Sequence, residues 1–508
     1  MKSIYHPKMS GTGLTLLGVT GSLFICMSPA FASQPVTCSD KEAGSVFESD
    51  NHLYLVVDDA LVRDAENLEA LKQGRIRFCT SHVANMSLLF AGDDFNQDIG
   101  DWDTAQVTDM SSMFEDATEF NQDIGHWNTA LVRDMHSMFL GAHQFNGDVS
   151  RWNTANVTDM SSMFEDAHAF NQDVTHWNIS KVTTLEKTFY RAARFNQNLR
   201  NWNTSGVTTM KMTFAGAGHF NGDISRWNTS RVTTMASMFE DAGAFNHDLG
   251  QWNTTSLADV RDMFRNAARF DQDLNGWDTS HIADMRGMFA GAVRFNGEIG
   301  QWNVSHVVNM SDMFHGAAHF NRDISNWDTS GLIAAVNMFR EARRFNQPLA
   351  AWDTSRLKNT SFMFRQAGVF NQYIGSWDTS ALVSATGMFW AAASFDRDIS
   401  QWNTGKLTYA SAMFAYASSF NQDIGQWDTS GLKRANSMFQ AATAFNQDIS
   451  GWNTSSLERV ISMFEHAESF DQDLTGWDLS RVKAKYAQNF ARYSAMTAEY
   501  LPAFADAE

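Results

Sequence analysis

Apolar and polar positions along this chain follow a fixed cycle of 25 residues. Phe recurs at 95, 120, 145, 170 and every twenty-fifth position to 470, and Trp does the same from 102 to 477. Sixteen copies run without an insertion or deletion and take 16 of the 17 Trp. In unbroken register each unit meets the next in the same way, as a solenoid requires. Within the copy FNQDIGDWDTAQVTDMSSMF (Phe95 to Phe114), the aliphatic Ile99 is flanked by Phe95 and Trp102, which predicts a short inward-facing strand near 98–102. Trp-Asp/Asn-Thr-Ser/Ala then forms a turn. Val107, Met110, Met113, Phe114 and Ala117 follow at helical spacing, with Thr108 placed as N-cap. The fold class expected is an α/β repeat solenoid of the leucine-rich-repeat kind. It has about sixteen coils, each one short strand plus one short helix, closed by N- and C-terminal caps.

Two apolar columns vary together. The first helical position is Val from Val107 to Val232, with Met110, Met135, Met160, Met210 and Met235 three residues on. From Leu332 to Leu432 it becomes Leu, and the second column becomes Ala335, Thr360, Ala385, Ala410 and Ala435. A larger residue in one column and a smaller one in the other indicate a shared core layer.

The ends depart from the cycle. Residues 33–85 form an N-terminal cap, with a strand expected at 53–57 and a helix at 59–73. The solenoid takes 86–480. Over 481–508 a new stripe, Val482, Tyr486, Phe490, Tyr493 and Met496, predicts a terminal capping helix. Residues 1–32 have the layout of a signal peptide: Lys2 and Lys8, an apolar run near 14–27, and Ala30-Phe31-Ala32. No later apolar run is long enough to span a bilayer. Export makes Cys38 and Cys79 a candidate disulfide. The formal charge of -19 disfavours nucleic acid and anionic lipid as partners.

The units FNQDI-x-x-W-[DN]-T-S-x-V-T-x-M-x-x-M-F resemble those of the BspA-like leucine-rich-repeat bacterial surface proteins, over roughly residues 79–480. The resemblance implies a surface solenoid used in adhesion and protein binding, with no catalytic residues to carry over. The chain lacks the lipobox of that family's lipoproteins.

Candidate chemistry in the repeat itself favours structure. The acidic column Asp98, Asp123, Asp148 to Asp473 fails at Asn198, Pro348 and Tyr373, and suits turn hydrogen bonds better than a row of calcium ions. A carbohydrate-cleaving enzyme needs a singular carboxylate site, whereas these carboxylates repeat. The Thr row (Thr104, Thr129, Thr154, Thr204) suits packing better than ice binding, since Ile179, Val304 and Leu479 interrupt it. His315 and His319 lack a third metal ligand nearby. Deviations from the cycle are the better guide to function. Tyr373, Trp390, Tyr409 and Tyr416 are off-register aromatics, preceded by Arg340, Arg343, Arg344, Arg356, Lys358 and Arg365. Exposed aromatics with Arg are the composition of binding hot spots. The expectation is an exported or cell-surface, non-enzymatic binding scaffold for proteins or glycans; the alternative is an architectural envelope or matrix component, with calcium as a candidate stabilising ion.

Overall fold

The structure, a computed structural model, describes residues 34–504. The signal-peptide segment 1–32 therefore lies outside the described residues, as do 505–508 of the C-terminal segment. The α-helix and β-strands among the described residues all lie in the N-terminal cap. There β1 (Val46–Ser49) pairs antiparallel with β2 (His52–Asp58), which pairs parallel with β3 (Arg77–His82). Between β2 and β3 lies α1 (Ala65–Lys72), whose N-cap Asp64 accepts the amides of Glu66 and Asn67. The helix starts later than the sequence suggests because Leu61–Arg63 is a separate 3-10 turn. Cys38 and Cys79 form a disulfide, buried with Tyr54 and Val56.

The sixteen coils contain neither the expected strand near 98–102 nor the expected helix. From residue 110 onward, alternate amides take different partners. Met110, Ser112, Phe114 and Asp116 donate to Asp134, His136, Met138 and Leu140 of the next coil. Met113, Glu115 and Ala117 instead close tight turns onto Met110, Ser112 and Phe114. Ser112 and Asp116 reach this geometry with φ of 52° and 55°, and the same two columns stay left-handed in later coils. Isolated parallel bridges mark the start of the segment in successive coils, as at Asp109↔Asp134 and Asp134↔Asp159.

The physical reason is spacing. Phe114 stacks on Phe139 at 5.6 Å and Trp102 on Trp127 at 6.3 Å, a pattern that continues along the chain. Bridged strands lie about 4.8 Å apart, whereas a helix with its side chains is about 10–12 Å across. Helices in register with this aromatic ladder would overlap their neighbours. A 3, 3, 1, 3 apolar spacing is met equally well by turns that return to the core every three or four residues. The Phe, Trp, aliphatic, Val/Leu and Met columns are buried throughout, as expected.

The Val-to-Leu and Met-to-Ala exchange also holds: Leu332 and Ala335 are both buried in one core. Its incomplete volume match leaves a void of about 10 Å³ beside Leu357, Thr360, Leu382 and Met388.

Polar columns tie coil to coil. The Asn side chain after each Phe, replaced by Asp at Asp271 and Asp396, accepts the corresponding amide of the next coil, from Asn96–Asn121 at 3.0 Å to Asn446–Asp471 at 3.1 Å, without a break. Each Trp indole from Trp127 donates to the aliphatic column's carbonyl in the preceding coil, as Trp302 does to Leu274 at 2.8 Å. The Thr row is buried, and its hydroxyls, Thr454's excepted, donate to the next coil, as Thr329 does to Asp353 at 2.9 Å. The row is therefore no ice-facing surface. Its hydroxyls matter as well as its methyls.

Both ends continue the coil further than the sequence repeat shows. Phe78 in β3 stacks on Trp102, and the Thr80 hydroxyl donates to Asp103. The cap thus supplies a zeroth coil, and the expected boundary at 85 cuts through it. At the other end Val460, Ser462, Phe464 and His466 donate to Tyr486, Gln488, Phe490 and Arg492. These partners lie two residues further on than in regular coils. The last segment is accordingly one more coil with a two-residue insertion, containing 3-10 turns at Ala484–Tyr486 and Ala498–Tyr500 in place of the expected capping helix. Phe490 closes the core edge-on against Phe464, Trp477 and Phe504, while Tyr493 stays exposed.

Candidate ligand-binding surface

The coil-to-coil ladder places every third to fourth side chain of residues 108–119 in the core and the rest on one outer face. Arg340, Arg365 and Trp390 occupy the same position of three successive coils, and the Gln366 amide donates to the Trp390 carbonyl across one of those steps at 2.8 Å. The Arg365 guanidinium lies 4.3 Å from the Trp390 ring centre. Tyr416, in the next coil, meets Trp390 edge-on at 5.4 Å. A cation over an aromatic face contributes about 0.5–2 kcal/mol as it is desolvated. Arg340 pairs with Glu341 at 3.3 Å. Arg365 has no carboxylate partner among the described residues, and its buried Nε donates to nothing. Burial, then the neighbouring Arg340 charge, lowers its pKa, though a guanidinium stays protonated at any physiological pH. The cluster is thus a half-buried cation over the Trp390 face, with Tyr416 edge-on to that ring and one buried donor unused.

The other sequence-derived candidates are placed differently. Tyr409 sits in the bridged column, under the Arg434 guanidinium at 5.4 Å. Tyr373 stands half-exposed in the acidic column, its ring over Gly375, where a Cβ would collide with it. Arg344 is exposed on the outer side. Four of the seven, Arg340, Arg365, Trp390 and Tyr416, come together.

The acidic column mostly forms Asx turns: Asp98, Asp123, Asp148 and most of their successors accept the amide two residues on, at 2.8–3.1 Å, whereas Asp273 accepts the Glu298 amide of the next coil. Asn198 does the same. Among the described residues no group of three or more His, Cys, Asp or Glu side chains is arranged to hold a metal ion. His315 pairs with Asp312 at 3.3 Å, and with no helix present the spacing to His319 loses its meaning.

A polar cavity of about 400 Å³ in the cap, lined by Asn51, His52, Arg75, Arg77, Gln97 and Asp98, was not legible in the residue pattern. Arg77 is already engaged. It donates to the buried Asp101 carboxylate at 2.8 Å, which also accepts the Tyr54 hydroxyl at 2.6 Å. Burial and that carboxylate push the Tyr54 pKa up to about 12. The network locks the cap onto the first coil.

The family model described as "Mycoplasma protein of unknown function, DUF285" matches in eight overlapping stretches: 60–175, 122–217, 163–277, 197–298, 263–368, 292–401, 348–437 and 391–502. The chain belongs to this family. The DUF285 matches run in tandem from residue 60 to 502, so they include the zeroth coil and the terminal one as well as the sixteen exact copies. No curated protein matches the chain. Among the described residues no helix is long and apolar enough to cross a membrane.

Proposed function

We propose that this DUF285 chain is an exported, cell-surface binding scaffold for proteins or glycans, with no catalytic role. The resemblance to BspA-like surface repeats and the signal-like layout of residues 1–32 support export and adhesion. The observation that carries the reading is the Arg365–Trp390–Tyr416 cluster. The consensus polar groups are engaged within the coils, whereas this cluster presents an edge-on Trp390–Tyr416 pair beside a guanidinium that has no carboxylate partner among the described residues. Such groups are where binding energy concentrates. The test is capture on protein and glycan arrays by the chain lacking residues 1–32. The Trp390→Ala, Tyr416→Ala chain should lose the captured ligands while keeping its thermal midpoint. Unchanged capture overturns the assignment of the site, and no capture of any probe by the parent chain favours an architectural component.

A further inference from the structure

The residue immediately before each repeat Phe forms an outer column of its own. Over seven successive coils it reads Arg194, His219, Ala244, Arg269, Arg294, His319 and Arg344. All but Ala244 are exposed. In a chain with 57 acidic and 38 basic residues, this stretch holds no acid. The coils are tied directly at this column: the His319 amide donates to the Val293 carbonyl at 3.1 Å, and the His219 ring bonds the Ala193 carbonyl at 2.8 Å.

Neighbouring carboxylates do not neutralise the row. Glu240 and Asp262 pair with Arg265, Asp312 with His315, Glu341 with Arg340 and Glu298 with Arg322. Arg194, Arg269, Arg294 and Arg344, with Arg343 beside the last, meet no carboxylate within 4.0 Å among the described residues. At about 4.8 Å per coil the row runs about 29 Å. Of its permanent charges, Arg269 and Arg294 stand one coil apart, inside one Debye length of about 8 Å at physiological salt, so their potentials add; Arg344 follows about 10 Å beyond Arg294, and Arg194 precedes Arg269 by about 14 Å.

We infer that this row binds a linear acidic polysaccharide laid along the solenoid axis, its carboxylate or sulfate groups meeting successive guanidiniums. The row is single file, and a parallel acidic column stands four residues further on at Asp273, Glu298 and Asp323. A thin single chain with an acid group on many of its units suits that strip. Duplex DNA, with one charge per about 1.7 Å of axis, brings far more negative charge over the flanking acids. Arg is suited to the task because its planar fork grips carboxylate and sulfate-like oxygens with two parallel bonds. The row ends at Arg344, one coil before the Arg365–Trp390–Tyr416 cluster, and shares no residue with it. The inference rests on the binding reading above for its setting only.

The experiment measures binding of heparin, hyaluronate, neutral dextran and duplex DNA to the chain lacking residues 1–32. Heparin or hyaluronate should bind, more weakly as salt rises, and dextran should not. The R269E/R294E/R344E chain should lose tenfold or more, with R269Q/R294Q/R344Q intermediate; a far-ultraviolet spectrum and thermal midpoint like the parent's confirm folding. Heparin binding kept by the Trp390→Ala, Tyr416→Ala chain seats the polyanion on the row. Loss in that chain with none in the arginine variants overturns the row and leaves the aromatic cluster standing. Dextran bound as well as heparin, or DNA bound as tightly as either polysaccharide, overturns the ligand class.

Discussion

The Thr row offers a test of the ladder with its controls built in. Thr329 is buried, and its hydroxyl donates to the Asp353 carbonyl at 2.9 Å; no other donor reaches that carbonyl among the described residues. Thr329→Val keeps the shape and removes the donor. A net hydrogen bond contributes about 1 kcal/mol, and a buried acceptor left unpaired costs about 1–3 kcal/mol. The substitution should therefore destabilise the solenoid by about 1–2 kcal/mol. Thr454 is the control. It is equally buried, but its Oγ1 has no partner, so Thr454→Val removes an unsatisfied hydroxyl and should be neutral or slightly stabilising. Val304 supplies the reverse case, because Val304→Thr places a donor in reach of the next coil's carbonyl at Asp328 and should gain about 1 kcal/mol.

Denaturant midpoints for the three chains give the ranking. A solenoid need not unfold in one step, so amide exchange localises the effect, with protection falling around residues 329–354 in Thr329→Val alone. Equal losses in Thr329→Val and Thr454→Val would refute the reasoning, since they would mean that the row contributes only shape.

Two further outcomes follow from the turns. Asp173, Asp323, Asp398, Asp448 and Asp473 have pKa values below the ordinary value because the amide and hydroxyl two residues on donate to them. A depressed folded-state pKa gives stability that is present above the unfolded value of about 3.9 and lost as pH falls through the folded values. Thermal midpoints should thus be flat above about pH 5 and fall below about pH 4, and Asp323→Asn with Asp398→Asn should flatten the fall, as Asn198 already keeps the same turn; an undiminished fall counts against the turns as its source. Ala391, Ala412 and Ala441 hold φ near 55°, where a Cβ costs about 1–2 kcal/mol. Each changed to Gly should raise the unfolding free energy by up to about 1 kcal/mol after the entropy cost of Gly, and a uniform loss would show that the left-handed columns are not strained.

What the sequence revealed depended on which side chains were doing the repeating. The Phe, Trp, Ile and Val columns must be buried in any stacked coil, so the period alone placed the core and the solenoid. The Asn or Asp after each Phe was legible as a ladder because a short side-chain oxygen, of an amide or a carboxylate, can serve every coil. The helix was misread because the Val107, Met110, Met113, Phe114, Ala117 spacing is shared by helices and by successive tight turns. A cue lay between those residues: Gly141, Gly216, Gly291 and Gly316 all stand in the column of Asp116 with positive φ, which a helix interior would not favour. The terminal coil was hidden by its two-residue insertion, which moved Phe490 out of the expected register. Of the surface candidates, the shared column of Arg340, Arg365 and Trp390 was readable, whereas the row before each Phe was masked by its variability.

That variability bears on where function resides. The consensus polar groups, Thr454 apart, already have structural bonds: Asn to the next amide, Trp to the preceding carbonyl, Thr to the following one, Asp to its own turn. Changing any of them leaves a buried or half-buried group unpaired. The outer columns carry no such obligation, and exposed substitutions there usually cost less than about 0.5 kcal/mol. One backbone can therefore carry glutamate before Phe120, arginine before Phe270 and Phe295, and a Trp–Tyr pair two to three coils beyond Phe345 without altering its stacking. On the binding reading proposed above, a ligand that follows the coil axis would be recognised by the order in which these outer residues occur.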